Sequence, residues 1–226
     1  PIPGLGGRAR GDAMPAVPIT DSGNLFGAMQ FSEACGEAGI QPIVGCLLPL
    51  ARGDVQGAGN GRPPPPDRLP VLAQNQAGYG NLVKLVSRAF LKPEPGETPH
   101  VTWADLERHA DGLIALTGGP EGPVGRLLSD GQTTAAEAAL GRLQRFFPGR
   151  LYVELMRHGL DVEARIEPAL LDLAYDRELP LVATNDVYFA TADMYQAQDV
   201  LLCIAGGNTL NDEERRRLTP GHRFKS

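Results

Sequence analysis

The chain has 226 residues, 42% of them hydrophobic, and this is enough for one large domain with a sizeable core. Its formal net charge of −6 argues against a surface that attracts nucleic acid by overall charge. The three cysteines form no Cys-x-x-Cys pair, and no apolar run approaches the roughly 18 residues of a membrane span, so the composition favours a reduced, cytoplasmic protein.

Apolar runs alternate with helical patterns along the chain, which predicts about six strands, each followed by a helix. The predicted strands lie near residues 16–19, 43–48, 69–73, 113–117, 151–155 and 181–183. Such βα units close into a barrel or lie as an open sheet. No Gly-x-Gly-x-x-Gly motif follows the first strand, so a dinucleotide-binding fold is disfavoured. Pro18 interrupts the first strand and would be tolerated at a sheet edge.

Local signals mark several helices and one loop. Residues 51–67 are rich in glycine and hold four consecutive prolines, which predicts a surface loop. Thr102 with Asp105, and Thr134 with Glu137, are the predicted capping boxes of two helices. The clearest helix follows the third strand, where five apolar residues recur at helical spacing: Leu82, Leu85, Val86, Ala89 and Phe90.

Two apolar runs end in polar clusters, residues 20–24 and 184–186. In a βα barrel the functional groups lie at the carboxyl ends of the strands. Thr, Asn and Asp side chains at such an end suit a hard cation or a phosphoester, but neither cluster contains a histidine. The chain therefore has the frame of a metal site and few of the ligands. The residues that fall at predicted strand ends are Asp21, Cys46, Gly119, Arg157, His158 and Asp186.

Five segments, in order, resemble one known family. Residues 20–28 (TDSGNLFGA) resemble the T-D-H-G-N-L-(F/C)-G-A stretch of the PHP (polymerase and histidinol phosphatase) domain of bacterial DNA polymerase III alpha subunits. Residues 39–46 (GIQPIVGC) and 73–82 (AQNQAGYGNL) resemble two further stretches of that domain. Residues 152–155 (YVEL) and 182–187 (VATNDV) complete the set, so the resemblance covers nearly the whole chain.

The resemblance implies an α/β fold, a distorted (β/α)7 PHP barrel that is TIM-like and here lacks its first strand. In some members this barrel binds a cluster of zinc or manganese ions and removes 3′ nucleotides. In many proteobacterial members it is degenerate, and it supports the polymerase or docks the separate proofreading exonuclease. The polymerase domains that follow it in the family hold the nucleotidyl-transfer aspartates.

The sequence departs from the metal-binding pattern of the family at most ligand positions. The opening His-x-His motif is not in the chain. Four possible remnants of a vestigial metal site are retained, namely Asp21, Glu154, His158 and Asp186. Five positions where metal-binding members have a ligand carry another residue: Ser22, Leu47, Arg68, Gly119 and Tyr188. Because a zinc site needs three or four His, Cys or carboxylate ligands, we expect no stable metal cluster, no catalytic residue and negligible phosphoesterase activity in this chain.

Each candidate also has an ordinary structural interpretation. Asp21 and Asp186 can accept hydrogen bonds within their own turns, which needs no metal. His158 is expected to be a surface turn histidine. Cys46 is expected to be a small core residue, because no histidine adjoins it in sequence. Trp103 is expected to pack on its short helix.

The predicted organisation is a PHP barrel domain over residues 1–212 and a basic linker over residues 213–226, which leads toward a polymerase palm domain. Both ends of the chain are expected to be cut. Arg215–Arg217 follow three acidic residues, a pattern typical of a solvated helix face, and a contact with the DNA backbone is the alternative.

The leading functional prediction is the PHP portion of a DNA-directed DNA polymerase, in which this piece is structural and binds no cofactor, while the parent uses Mg²⁺. The implied partners are the remaining polymerase domains, the proofreading exonuclease subunit and, through the parent, DNA. The alternatives are an active PHP-type metal-dependent phosphoesterase, either a 3′–5′ exonuclease or a small-molecule phosphatase, and the error-prone relative of the alpha subunit.

Overall fold

The computed structural model describes residues 3–53, 64–94 and 96–225, and this part of the chain folds into helices and strands that largely alternate. Its six strands are β1 (Ala16–Ser22), β2 (Gln41–Leu50), β3 (Asp67–Ala73), β4 (Leu113–Leu116), β5 (Leu151–Met156) and β6 (Leu181–Thr184). Its eight α-helices are α1 (Pro3–Gly11), α2 (Ala28–Ala38), α3 (Gln76–Leu91), α4 (Trp103–Arg108), α5 (Pro123–Ser129), α6 (Thr133–Phe146), α7 (Asp161–Asp176) and α8 (Tyr195–Gly206).

The strands form one mixed sheet in the order β1-β2-β3-β4-β5-β6, consistent with a distorted TIM-like barrel. β1 pairs parallel to β2, and β4, β5 and β6 are parallel to one another. β3 is antiparallel to both of its neighbours, so the prediction that a helix follows every strand is wrong for β2. An antiparallel partner needs no crossover helix, and β2 leads to β3 through the loop predicted at 51–67. Residues 54–63 of that loop lie outside the described residues, and its last residue, Asp67, belongs to β3.

β1 is an edge strand of the described sheet, as the position of Pro18 indicates, because within that sheet it pairs with β2 alone. A small second core joins this edge to α1 and α2, and it contains Ala9, Val17, Phe31, Cys35 and Ile40. Helix α1 has no strong apolar periodicity and the sequence did not indicate it. Gly6 lets α1 approach α2 closely, because an added Cβ would lie 2.9 Å from the Ala34 carbonyl oxygen.

The main core lies between the sheet and helices α3 to α7. The face predicted for α3 is largely confirmed, since Leu82, Leu85 and Ala89 are fully buried. Phe90 is wrong as a core residue, because 59% of its surface is exposed. At about 3.6 residues per turn, Phe90 is rotated by roughly 80° from Leu82 and so lies beyond the buried stripe.

One of the two predicted capping boxes is present. The Thr102 hydroxyl accepts a hydrogen bond from the Asp105 N–H at 3.1 Å, and the Asp105 carboxylate accepts one from the Thr102 N–H at 3.3 Å. Helix α6 instead starts two residues earlier than expected, at Thr133, and its N-cap residue Gln132 makes no side-chain capping bond. The box predicted for Thr134 is therefore wrong.

No helix in the described ranges is both long enough and apolar enough to cross a membrane.

Candidate functional site

The positions singled out in the sequence gather at one edge of the sheet. This edge holds the carboxyl ends of the parallel strands and also the amino end of β3, because Arg68 pairs with Pro49 near the end of β2. The nine positions that lie in or just beyond these strand ends are Asp21, Ser22, Leu47, Arg68, Gly119, Glu154, His158, Asp186 and Tyr188.

Asp21 has the structural role of an acceptor in the turn between β1 and α2. Its Oδ2 accepts a hydrogen bond from the Gly27 N–H at 3.1 Å, and Gly27 is the N-cap of α2. Its partner in the strand pairing is Cys46, which is fully buried, as expected for a core residue. Burial raises the pKa of the Cys46 thiol to about 12, and the nearby charge of Asp21 adds to this shift. Cys46 is therefore a neutral thiol at physiological pH and a poor nucleophile.

Glu154 is a buried carboxylate that uses both of its oxygens within the protein. Oε2 accepts the Gly118 N–H at 2.9 Å, and Oε1 accepts the Thr184 hydroxyl at 2.6 Å. The pKa of Glu154 is raised to about 6 in total. Burial is the main cause and the charge of Asp186 acts in the same direction, while the two hydrogen bonds oppose the shift. A buried acid with a raised pKa at a strand end is a typical mark of a functional site.

His158 is buried, with 5% of its surface exposed, so the expectation of a surface turn histidine is wrong. Its Nε2 accepts the Asp186 N–H at 3.0 Å, so the ring proton lies on Nδ1, which contacts Glu163 Oε1 at 2.6 Å. Although burial alone would raise the pKa of Glu163, hydrogen bonds from the His158 ring, the Leu160 N–H and the His158 N–H lower it. Glu163, at the start of α7, thus holds the imidazole in one orientation.

His222 stacks on His158, with 4.1 Å between the ring centroids and 17° between the planes. The sequence did not indicate this contact, because His222 belongs to the segment that was predicted to be a linker. The Thr219 hydroxyl donates to the His158 carbonyl oxygen at 2.5 Å, and the Tyr188 N–H donates to the His222 carbonyl oxygen at 3.0 Å. The domain boundary at residue 212 stays a prediction, but residues 218–225 lie against the strand ends.

Asp186 is exposed, and its backbone N–H, rather than its carboxylate, makes the hydrogen bond to His158. The turn role expected for its carboxylate is therefore not seen among the described residues. Its position beside Glu154 explains why its charge raises the pKa of that buried acid.

The five positions that were expected to lack a family ligand make other contacts. Arg68 pairs with Glu121, with 3.2 Å between Nε and Oε2. A larger side chain at Gly119 would require the Met156 side chain to move, because an added Cβ would lie 2.6 Å from the Met156 sulfur. Ser22 and Leu47 are paired opposite each other in the β1–β2 ladder. The Tyr188 hydroxyl accepts a hydrogen bond from Arg216 at 2.7 Å.

The donors at this edge do not fit a resident metal cluster. Within the described ranges, no group of three or more His, Cys, Asp or Glu side chains is placed to hold a metal ion. Both ring nitrogens of His158 and both oxygens of Glu154 already have partners in the protein. Asp186 alone would leave an ion almost fully hydrated, and the positive charge of Arg68 opposes the approach of a cation.

Glu154→Gln is expected to stabilise the protein at pH 8 and to have little effect near pH 4. The folded state raises the pKa of Glu154 from 4.5 to about 6, so it binds the proton more tightly than the unfolded chain does. The stability that comes with protonation is complete below pH 4.5 and is lost as the pH rises through about 6. The amide removes the buried charge, and it can still accept the Gly118 N–H while donating to Thr184. We expect a gain of about 1–2 kcal/mol at pH 8.

Urea unfolding of both proteins at pH 4, 6 and 8 measures this difference in free energy. The control is Glu137→Gln on the exposed face of α6, which should shift stability equally at the three pH values. A Glu154→Gln protein that is less stable than the wild type at pH 8 would contradict the assignment of a costly buried charge.

Comparison with protein-family models matches residues 1–158 to the PHP domain. The similar proteins include DNA polymerase III subunit alpha of Caulobacter vibrioides, which is 47% identical over 218 residues, or 94% of this chain. The same subunit of Rickettsia bellii is 36% identical over 94% of the chain, and that of Vibrio cholerae is 34% identical over 95%. The chain spans less than a fifth of the length of these relatives, namely 18%, 17% and 18%.

Among solved structures, a Bifidobacterium adolescentis protein inferred to be a metal-dependent phosphoesterase matches with a TM-score of 0.47 and 16% identity. The alignment covers 82% of this chain and 81% of that protein. A likeness at this level does not bear on function.

Proposed function

Because this chain belongs to the PHP domain family, we propose that it is the PHP region of a bacterial DNA polymerase III alpha subunit and contributes support and docking rather than chemistry. The parent protein would be a DNA-directed DNA polymerase that works in the cytoplasm and uses Mg²⁺ in its polymerase domains. The partners of this region would be the other domains of the same chain, the proofreading exonuclease subunit and, through the parent, DNA.

The use of the strand-end donors within the protein is the observation that carries this proposal. Glu154 holds the turn after β4 by accepting the Gly118 N–H, and it holds the end of β6 through Thr184. His158 joins α7 to the loop after β6 through its two ring nitrogens. In a hydrolytic metal centre these groups would have to be available to the ions. Here they link strand ends, as supports of the scaffold.

An active phosphoesterase is the second candidate, and the raised pKa of Glu154 next to the Asp186 charge is the observation that favours it. A PHP-type hydrolase would need additional ligands around these two acids. The two candidates predict different metal contents. Only the phosphoesterase predicts a hydrolytic activity that depends on Asp186.

The full-length product of the gene is expected to extend a primed template with deoxynucleoside triphosphates and Mg²⁺. It should contain far less than one zinc or manganese ion per chain when measured by elemental mass spectrometry. Asp186→Asn should leave primer extension within about twofold of the wild type, because an exposed carboxylate outside the polymerase domains contributes nothing to that transition state.

Asp176→Asn, at the exposed end of α7, is the matched control for the loss of one carboxylate. Stoichiometric metal, together with 3′–5′ nuclease activity that Asp186→Asn destroys and Asp176→Asn preserves, would establish the phosphoesterase instead. Failure of the full-length protein to extend a primer would refute the polymerase assignment.

A further inference from the structure

The end of the chain is strongly basic, although the chain as a whole is acidic. Residues 215–225, here called the basic segment, contain five Arg or Lys residues and no Asp or Glu, whereas the formal net charge of the chain is −6. The expectation that Arg215–Arg217 form a solvated helix face is wrong, because residues 213–217 are not helical. These cations therefore are not distributed around a helix, and their positions depend on how the segment packs.

The basic segment is fixed to the strand-end edge. The Thr219 hydroxyl and the His222 ring both contact His158. The Phe224 N–H donates to the Phe189 carbonyl oxygen at 2.9 Å, as in a parallel strand. An added Cβ at Gly221 would lie 2.5 Å from the His158 carbonyl oxygen, so the two backbones are in close contact. The basic side chains are thus presented from an anchored backbone, which lowers the entropy lost when they bind a ligand.

Among the described residues, one cation of the segment forms an ion pair and four do not. Arg215 forms a bidentate ion pair with Asp199, with N–O distances of 2.5 and 2.7 Å. The other four donate only to neutral oxygens among the described residues, and none of them forms an ion pair there. Their acceptors are the Tyr188 hydroxyl for Arg216 and the carbonyl oxygens of Asp212, Pro220 and Arg157 for Arg217, Arg223 and Lys225, respectively.

Arg216, Arg223 and Lys225 each contact residues that lie at or just beyond the strand ends. The Arg216 guanidinium lies 5.4 Å from the centre of the Tyr188 ring, and Tyr188 meets the His222 ring edge-on at 5.8 Å. Asn185, three residues before Tyr188, donates to the Arg223 carbonyl oxygen at 2.5 Å. Arg216 and Arg223 therefore flank the same loop, and both are exposed. Lys225 donates to the carbonyl oxygen of Arg157, the residue before His158, at 3.2 Å.

We propose that the basic segment binds the phosphate backbone of DNA without sequence specificity, an inference that rests on the proposed function. Guanidinium groups donate in a fixed fork that matches phosphate oxygens, and they also lie over aromatic rings, as Arg216 lies over Tyr188. Membrane binding fits less well, because Leu218 is buried and Phe224 is half-buried, which leaves the segment no exposed apolar side chain to insert. The acidic remainder of the protein would turn this edge toward the polyanion.

The test measures binding of the 226-residue chain to a fluorescein-labelled 20-base-pair duplex by anisotropy at several salt concentrations. We expect a dissociation constant of about 10⁻⁴ to 10⁻⁶ M at physiological salt, and tighter binding at lower salt. The triple variant Arg216→Gln, Arg217→Gln, Arg223→Gln should weaken binding at least tenfold and reduce the slope of log K against log salt by roughly two to three.

The matched control removes three exposed arginines elsewhere: Arg8→Gln, Arg10→Gln and Arg108→Gln. It lowers the net charge equally, so an effect as large as that of the triple variant would show general charge attraction and overturn the site. Tighter binding of polyglutamate, or of vesicles containing 30% phosphatidylserine, than of the duplex would overturn DNA as the ligand. Thermal unfolding followed by circular dichroism establishes that each variant is folded.

A second measurement uses the full-length gene product. The triple variant should lower the salt slope of primer–template binding by the same amount, while primer extension at low salt persists. An unchanged slope in an active polymerase would refute the DNA-binding segment and leave the proposed function intact. If the triple variant lowers the salt slope as expected but the full-length protein cannot extend a primer, the proposed function is refuted and the DNA-binding segment stands.

Discussion

Gly78→Ala is expected to prevent stable folding or to lower the free energy of unfolding by about 4 kcal/mol or more. Gly78 lies in the first turn of α3, directly against the backbone of Gly112 ahead of β4. A Cβ added at Gly78 would overlap the Gly112 carbonyl group. That carbonyl oxygen also accepts the Gln74 N–H at 2.9 Å, next to the β3–β4 ladder. Making room for one methyl group therefore means separating two backbone segments that share a hydrogen bond.

Gly80→Ala, two residues further along the same helix, is the control. A Cβ at Gly80 meets no atom within 4 Å, and alanine stabilises a helix relative to glycine, so this variant should gain about 0.5–1 kcal/mol. Urea unfolding followed by far-ultraviolet circular dichroism compares the two variants with the wild type. Equal stabilities for the two alanine variants would show that α3 does not press on Gly112.

Asp105→Ala is expected to lower the free energy of unfolding by about 2–4 kcal/mol at pH 7. This carboxylate is 2% exposed, and it joins α4 to α3 through Arg88 Nη2 at 2.8 Å and Lys92 Nζ at 3.1 Å. It also completes the capping box with Thr102. Truncation removes the cap and leaves two cations without their acceptor. Both cations are partly exposed, 34% for Arg88 and 53% for Lys92, so water limits the loss.

The loss caused by Asp105→Ala should also depend on pH. Burial alone would raise the pKa of Asp105, but hydrogen bonds from Thr102, Lys92 and Arg88 outweigh it and lower the pKa well below its usual range. A carboxyl whose pKa is lowered by folding contributes stability above its unfolded pKa of about 3.9, and this stability is lost as the pH falls further. The difference between variant and wild type should be constant from about pH 5 to 8 and should shrink below about pH 4.

Asp111→Asn removes the charge of an exposed aspartate near the end of α4 and serves as the control. It should change the free energy of unfolding by less than about 0.5 kcal/mol. Chemical unfolding at pH 3, 5 and 7 measures both proteins. A wild-type advantage over Asp105→Ala that grows as the pH falls would contradict the lowered pKa.

Internal hydrogen bonds connect the loops at the strand-end edge of the sheet. Glu154 holds the ends of β4 and β6, while Glu163, His158 and the Asp186 N–H connect α7 to the loop after β6. These buried acids and the His158 imidazole therefore stabilise the loops directly. This accounts for a site that looks functional by its raised pKa but offers few free donors.

The sequence by itself determined the features that depend on neighbouring residues. The strands, the buried stripe of α3 and the Thr102–Asp105 capping box follow from spacing over a few residues, because side-chain direction repeats every two residues in a strand and about every 3.6 in a helix. The strand-end rule also placed Asp21, His158 and Asp186 on one side of the sheet, since a parallel strand delivers its carboxyl end to a common edge.

Only the tertiary structure decided which of these groups meet, because burial and pairing join segments far apart in sequence. Nothing local distinguishes the buried His158 from a surface turn histidine, since its burial depends on Glu163, Asp186 and the distant His222. The antiparallel direction of β3 likewise depends on its ladders with β2 and β4, because an apolar run looks the same in either direction. Charge counting could locate the basic residues at 215–225, but packing alone determined that Arg215 is neutralised by Asp199 while Arg216 lies exposed over Tyr188.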